Sequence, residues 1–308
     1  RRIASEIDRA AAQSAASLQA PESIGIVMAA FSDFLNTSYN STLISAILEA
    51  LTVEGFTTQF ITRCYSQMNA VFFRNVVRSY RLKGLLIPEF DISYAVSREL
   101  ASFGIPVVSI GNRNGAEMRC NICVDDFSAG CDAATYLWSL GHRSFGFIGM
   151  SQLDIGQRQR LTGFRETIRE LGGRPEDIWI REFRHIGDST TLAALELSRM
   201  PERPTALFST NSLMTQKLIS DLHRLGIDTP EDISIISFEE NGELEFLNTP
   251  VTVIAQPTRQ MGKAAVNALV RLLHGYPVEA RHRLDYALVI RESTRSCKPH
   301  NLNTEEKK

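Results

Sequence analysis

From residue 24 onward, short apolar runs alternate with longer segments whose apolar residues recur at helical spacing, and the pattern predicts strands separated by helices. Residues 24–28, 57–61, 84–87 and 106–110 read as strands. Between them the spacing predicts helices over 42–54, 71–80 and 94–103, the first and last stopped by Gly55 and Gly104. A second series places strands at 122–124, 144–148, 178–183, 206–209 and 233–238. Its helices fall over 128–140, 157–171, 189–199 and 213–225, with Gly141, Gly172 and Gly226 as stops. Strands separated by helices of this length pair in parallel through right-handed crossovers, so the expected fold class is α/β, with two Rossmann-like parallel-sheet halves. A strand at 251–255, a helix at 258–273 and a strand at 284–291 are too few for a third domain and must be shared between the two sheets.

The stretch 204–257 shows where such a fold would take a ligand. Its two apolar runs each end in polar residues, Thr210 and Asn211 after the first and Glu239, Glu240 and Asn241 after the second. Those positions belong to the carboxyl edge of a parallel sheet, where open α/β folds bind ligands.

The bulk numbers narrow the setting. The 308 residues, 44% hydrophobic and 22% charged, suffice for two cores. Thirty-three basic against thirty-five acidic residues give a net charge of -2, which is no electrostatic footprint for nucleic acid in this chain itself. Five cysteines form no paired framework, and the sequence has no signal-like start and no run of eighteen apolar residues, so a cytoplasmic location and no membrane contact are expected. The sequons at Asn36 and Asn40 then read as chance matches. Residues 1–20 look like a linker or peripheral helix, and 297–308 like a flexible polar tail.

Several strings are more specific. They are Gly141-His142-Arg143, then Arg158, Arg160 and Gly163-Phe164, then Pro204-Thr205-Ala206 and Asn211, then Thr229-Pro230-Glu231-Asp232-Ile233-Ser234, and finally Arg291-Glu292-Ser293-Thr294. In this order and spacing the chain resembles the lactose/galactose repressor (LacI/GalR) family of bacterial transcription regulators over nearly its whole length. The resemblance implies a periplasmic-binding-protein-like core of two lobes joined by three crossovers near Asn121, Ala255 and Arg283. The N-terminal lobe would hold 21–121 plus 256–283, and the C-terminal lobe 122–255 plus 284–296. It also implies that most or all of a helix-turn-helix headpiece precedes residue 1, and that 1–20 contains a hinge whose Leu18 would wedge into the minor groove of an operator. An incidental leucine in a disordered linker is the other reading of that segment.

The same resemblance carries a site. Arg158 matches an arginine that reaches ligand oxygens, for which a guanidinium fork is suited; a surface arginine at a helix start is the alternative. Asn211 can donate and accept, or simply cap the next helix. Glu239 stands where most members carry aspartate, and its longer side chain would reach further into the cleft. Gln256 matches a hinge glutamine, or makes a plain interlobe hydrogen bond. On the N-terminal lobe Phe31, Asp33 and Tyr39, with Phe34 beside them, could stack on a sugar ring or bind hydroxyls, and Asn112 and Asn121 fall near the cleft. Catalysis has little support: Cys120 and Cys123 are a lone pair without a second ligand pair, the histidines have no metal or triad spacing, and no phosphate loop is present. No metal and no cofactor are expected.

The reading is a ligand-responsive regulator, not an enzyme, acting as a homodimer that binds a sugar or sugar derivative between its lobes and thereby controls operator DNA. A solute-binding protein for transport shares the lobes and is the alternative.

Overall fold

The computed structural model describes residues 23–29, 38–63, 67–88, 94–111, 120–150, 155–183, 187–238 and 242–297. These divide into two compact units, the first built from residues 23–29, 43–122 and 259–282 and the second from 38–42, 123–258 and 283–297.

The first unit carries the strands β1 (Ser23–Ala29), β2 (Thr57–Arg63), β3 (Gly84–Pro88), β4 (Val107–Ile110), β5 (Cys120–Cys123) and β11 (Arg281–Arg283), in the sheet order β11-β5-β4-β3-β1-β2. The pairs β1·β2, β1·β3, β3·β4 and β4·β5 are parallel. Helices α1 (Ser38–Val53), α2 (Ala70–Tyr80), α3 (Tyr94–Ser102) and α9 (Thr258–Leu273) accompany it. The α2 boundaries show how local chemistry sets an element. Asn69 caps its start by accepting from Phe72 N, Phe73 and Val76 face inward, and Arg81 ends it in the left-handed region at φ 48°.

The second unit repeats the plan with β6 (Phe145–Met150), β7 (Trp179–Phe183), β8 (Ala206–Ser209), β9 (Ser234–Phe238), β10 (Thr252–Ala255) and β12 (Ala287–Val289), ordered β12-β10-β9-β8-β6-β7. Only the β10·β12 edge is antiparallel among the pairings described for this sheet. Its helices are α4 (Asp126–Ser139), α5 (Ile155–Glu170), α6 (Gly187–Arg199), α7 (Ser212–Arg224) and the single turn α8 (Gly242–Glu245). Phe145, Phe147, Phe164 and Phe208 form edge-on and tilted ring pairs under α5. On α7, Met214, Leu218 and Leu222 recur every fourth residue and are buried.

Two expectations need correction. The strand foreseen at 284–291 is shorter, pairing as β12 over Ala287–Val289 in the second sheet, and a strand not foreseen, β11 at Arg281–Arg283, ends the first sheet just before it. Both are partly exposed edge strands, so their side chains carry too weak an apolar pattern to reveal their bounds. The one-turn helix α8 had no periodic signal at all, since four residues give less than two turns. Cys120 and Cys123 are buried on β5 and form no disulfide, and because an odd spacing along a strand sends side chains to opposite faces, they cannot share a ligand.

The C-terminal segment is tied to this unit by His142. Its Nε2 lies 3.1 Å from the Arg295 carbonyl and its Nδ1 2.9 Å from Thr205 Oγ1. A carbonyl only accepts, so the neutral ring donates from Nε2 and accepts the Thr205 hydroxyl at Nδ1. Burial holds the His142 imidazole below its ordinary 6.5, outweighing the bond to Arg295. The unfolded chain therefore takes up the proton first: this contribution is complete above 6.5 and is lost as the pH falls toward the lower folded value. Between about pH 7.5 and about pH 5.5, wild type is expected to lose up to about 1 kcal/mol more unfolding free energy than His142→Gln. Urea titrations at each pH check this, and identical slopes would remove His142 from the account.

Candidate functional site

In both units the strand order around the first crossover is the same, β2-β1-β3 and β7-β6-β8, so each sheet has a topological switch point at its carboxyl edge. In the second unit the residues at that edge are described in detail. Met150 ends β6, Thr210 follows β8, Phe238 ends β9, and the first turns of α5 lie against them.

The buried face of α5 is Gly156, Gln157, Arg160, Gly163, Phe164, Thr167 and Ile168. This is a helical stripe whose carboxyl half is largely apolar and whose amino half is polar, because the amino half meets strand ends and the polar groups they carry. Gln157 Oε1 accepts from Met150 N at 2.7 Å and from Thr210 Oγ1 at 2.6 Å. Arg160 Nε donates to Asp126 Oδ1 at 2.7 Å, its Nη1 donates to the Thr210 carbonyl at 3.1 Å, and its guanidinium lies 3.5 Å over the Phe238 ring. Below this, Thr215 Oγ1 lies within hydrogen-bond distance of both Ser209 and Ser237 Oγ at 2.8 Å, so the strand ends are joined by hydroxyls as well as by the ladder.

Arg158 sits between these anchors. Two helix residues turn about 200°, so Arg158 and Arg160 point to opposite sides. Arg158 is exposed, and its guanidinium makes no hydrogen bond or ion pair among the described residues, whereas Arg160 is buried and fully engaged. Asn211 caps α7, accepting from Met214 N at 3.0 Å. Gln256 is half-buried just before α9, with its carbonyl accepting from Thr258 N.

In the first unit Asn121 lies on β5, 4% exposed; its Nδ2 donates to Ser109 Oγ at 2.7 Å and to the Gly111 carbonyl at 2.8 Å. Its Oδ1 is a buried acceptor that no donor among the described residues reaches. Tyr39 is buried in the first turn of α1, in the segment that groups with the second unit. Phe31, Asp33, Phe34, Asn112, Glu239, Glu240, Asn241 and the hinge candidate Leu18 lie outside the described residues. Among the described residues no group of three or more His, Cys, Asp or Glu side chains is placed to hold a metal.

Sequence reasoning placed Thr210 at this edge but missed Gln157, Asp126 and Phe238 as parts of it, and met Arg160 only within a motif. A signal was present in the glycines. A Cβ at Gly130 would stand 2.0 Å from the Arg160 carbonyl oxygen and one at Gly163 2.1 Å from that of Phe127, so α4 and α5 touch backbone to backbone exactly where Arg160 must meet Asp126.

Two doubly wound sheets of equal strand order, each closed by an extra edge strand, define the periplasmic-binding-protein-like class of fold. Residues 134–294 match the model of the periplasmic binding protein-like domain. The transcriptional repressor CytR of Escherichia coli K12 is 31% identical over 218 residues, 70% of this chain and 62% of the repressor, so the chain spans under two thirds of that relative. The repressor PurR of Photobacterium profundum is 28% identical over 237 residues, 75% of this chain and 71% of that protein. A LacI-family regulator of Enterococcus faecium, solved with bound ribose, shares the fold with a TM-score of 0.80 at 22% identity, covering 90% of this chain and 100% of that one. The chain belongs to the periplasmic binding protein-like domain family, and its fold is the one seen in that LacI-family regulator.

Proposed function

We propose that the chain is the effector-binding core of a cytoplasmic, non-enzymatic transcriptional regulator that takes a sugar or sugar derivative at the carboxyl edges of its sheets and so controls operator binding by the full-length protein. The observation that carries this is the pairing of Arg158 with Arg160. One guanidinium is spent holding the helix start, and its neighbour is left exposed on the same turn, which suits a group reserved for ligand oxygens. The ribose bound to the Enterococcus faecium regulator supports the choice of ligand class. Asn211, Gln256 and Asn121 are assigned as polar partners of the effector, the last with an Oδ1 that no donor among the described residues reaches. Glu239, Phe31, Asp33 and Tyr39 complete the proposed set, and Leu18 is the proposed operator wedge. Coupling works only if the effector has different affinities for two states of the protein, since equal affinity shifts nothing.

Homodimerisation is part of the proposal. A groove of about 700 Å³ beside α7 is lined by Leu213, Gln216, Ser220 and Phe246, and Phe246 is 83% exposed, a surface suited to a twofold contact. Sedimentation equilibrium should give a dimer, and a strict monomer would remove this part.

The central test is a thermal-shift panel of ribose, cellobiose and other sugars and sugar derivatives on wild type and Arg158→Ala. A compound at 100 times its dissociation constant stabilises the fold by about 2.7 kcal/mol. Arg158→Ala is expected to weaken binding about 10- to 100-fold, the loss of a charge-assisted bond. Without ligand its stability should stay within about 0.5 kcal/mol of wild type. Unchanged binding in the variant would overturn the assignment of Arg158.

A further inference from the structure

Thr210 directly precedes Asn211, and two of its polar groups meet α5, which carries Arg158, while its N–H, and its hydroxyl at a longer 3.3 Å, face the Ile148 carbonyl of β6. It is 2% exposed. Its N–H donates to the Ile148 carbonyl at 3.0 Å, which anchors it to β6. Its carbonyl accepts from Arg160 Nη1, and its Oγ1 lies 2.6 Å from Gln157 Oε1; an amide oxygen only accepts, so the threonine donates. Both contacts run to α5, and they bracket Arg158 one residue before and two residues after. The next residue along the chain from Thr210 is Asn211, the cap of α7.

We propose that Thr210 is the positioning residue of the effector site, coupling the start of α5, which presents Arg158, to the start of α7, which presents Asn211. The inference rests on the reading that those two side chains hold the effector. What it adds is that their spacing is set by a buried hydroxyl that need not touch the effector. A fork of donors recognises ligand oxygens only when it is held in place before binding, because each side chain ordered on binding subtracts from affinity. The hydroxyl is suited to this because Gln157 Oε1 also accepts from Met150 N, so one amide oxygen gathers the ends of β6, β8 and α5. Gly149 leaves the room: a Cβ there would stand 2.7 Å from Gln157 Oε1 and 2.8 Å from Thr210 Oγ1.

The test compares Thr210→Val, which keeps the shape and loses the donor, with Thr210→Ser, which keeps the donor. Site-resolved amide exchange is read at Met150, at residues 159–161 and at Met214 and Thr215. In Thr210→Val the exchange at all three places is expected to rise about tenfold while the centres of β8 and β9 stay as in wild type, and Thr210→Ser should restore it. Gly149→Ala should reproduce the Thr210→Val pattern without removing any polar group. A rise at only one helix, a uniform rise over the whole unit, or no rise would overturn the coupling. Arg158→Ala should leave the exchange pattern alone, so failure of the Arg158 assignment and failure of this one are separable. If ribose or another panel sugar binds wild type and loses affinity with Arg158→Ala, Thr210→Val should bind it about tenfold more weakly. Equal affinity would leave Thr210 a structural residue only.

Discussion

Replacing Arg160 by alanine is expected to destabilise the second unit by about 3–5 kcal/mol, a loss that should be visible as a large fall in its urea midpoint. The reason is the partner left behind. Asp126 has a side chain only 3% exposed and Arg160 is its ion-pair partner at 2.7 Å, so alanine leaves a carboxylate away from water without its countercharge. The Thr210 carbonyl also loses a donor, and the Phe238 ring loses the guanidinium stacked on it. The double variant Asp126→Ala with Arg160→Ala should recover part of the loss, because it removes the stranded charge. A cost below about 1 kcal/mol for Arg160→Ala would mean that water reaches Asp126, and the buried ion pair would lose its assigned weight.

The second large effect is steric. Gly130→Ala and Gly163→Ala are each expected to cost about 3 kcal/mol, the upper part of the range for overpacking. A carbon normally keeps about 3.3 Å from a carbonyl oxygen, whereas the new methyl groups would begin 2.0 Å from the Arg160 oxygen and 2.1 Å from that of Phe127. Both obstacles are backbone, which cannot rotate away as a side chain can, so α4 and α5 must separate. Gly242→Ala is the control, since the nearest atom to its Cβ would be 4.0 Å away, and it should be neutral. Calorimetric midpoints of the three variants decide the matter: a tolerated Gly130→Ala would show that the two helices have room to part. Because the Gly130 methyl meets the carbonyl of Arg160 itself, this variant should also disturb the turn that presents Arg158.

Much of the architecture was legible in the chain. Runs such as Ile24–Gly25–Ile26–Val27 and Ile233–Ser234–Ile235–Ile236 are buried on both faces, as strands covered by helices must be, and the helices between them end at glycines with positive φ such as Gly55, Gly104, Gly141 and Gly226. Alternation of this kind leaves few topologies open once crossovers are right-handed. The site was legible only in part. Periodicity finds apolar stripes, and the amino half of the α5 stripe is Gln157 and Arg160, so the surface that holds the candidate site together looked like solvent-facing helix.

The sequence by itself determined the class, the number of strand-helix repeats and which residues stand at the carboxyl edge of the second sheet, because these follow from hydrophobic period and chain direction, which are local. Only the tertiary structure decided that Arg160 is the buried arginine and Arg158 the exposed one, that Asn211 caps α7, and that an extra strand at Arg281–Arg283 ends the first sheet. Those outcomes depend on which backbone ends and charges meet from elements far apart in the chain, such as Asp126 with Arg160 and Gln157 with Thr210, and a local pattern contains no term for such meetings.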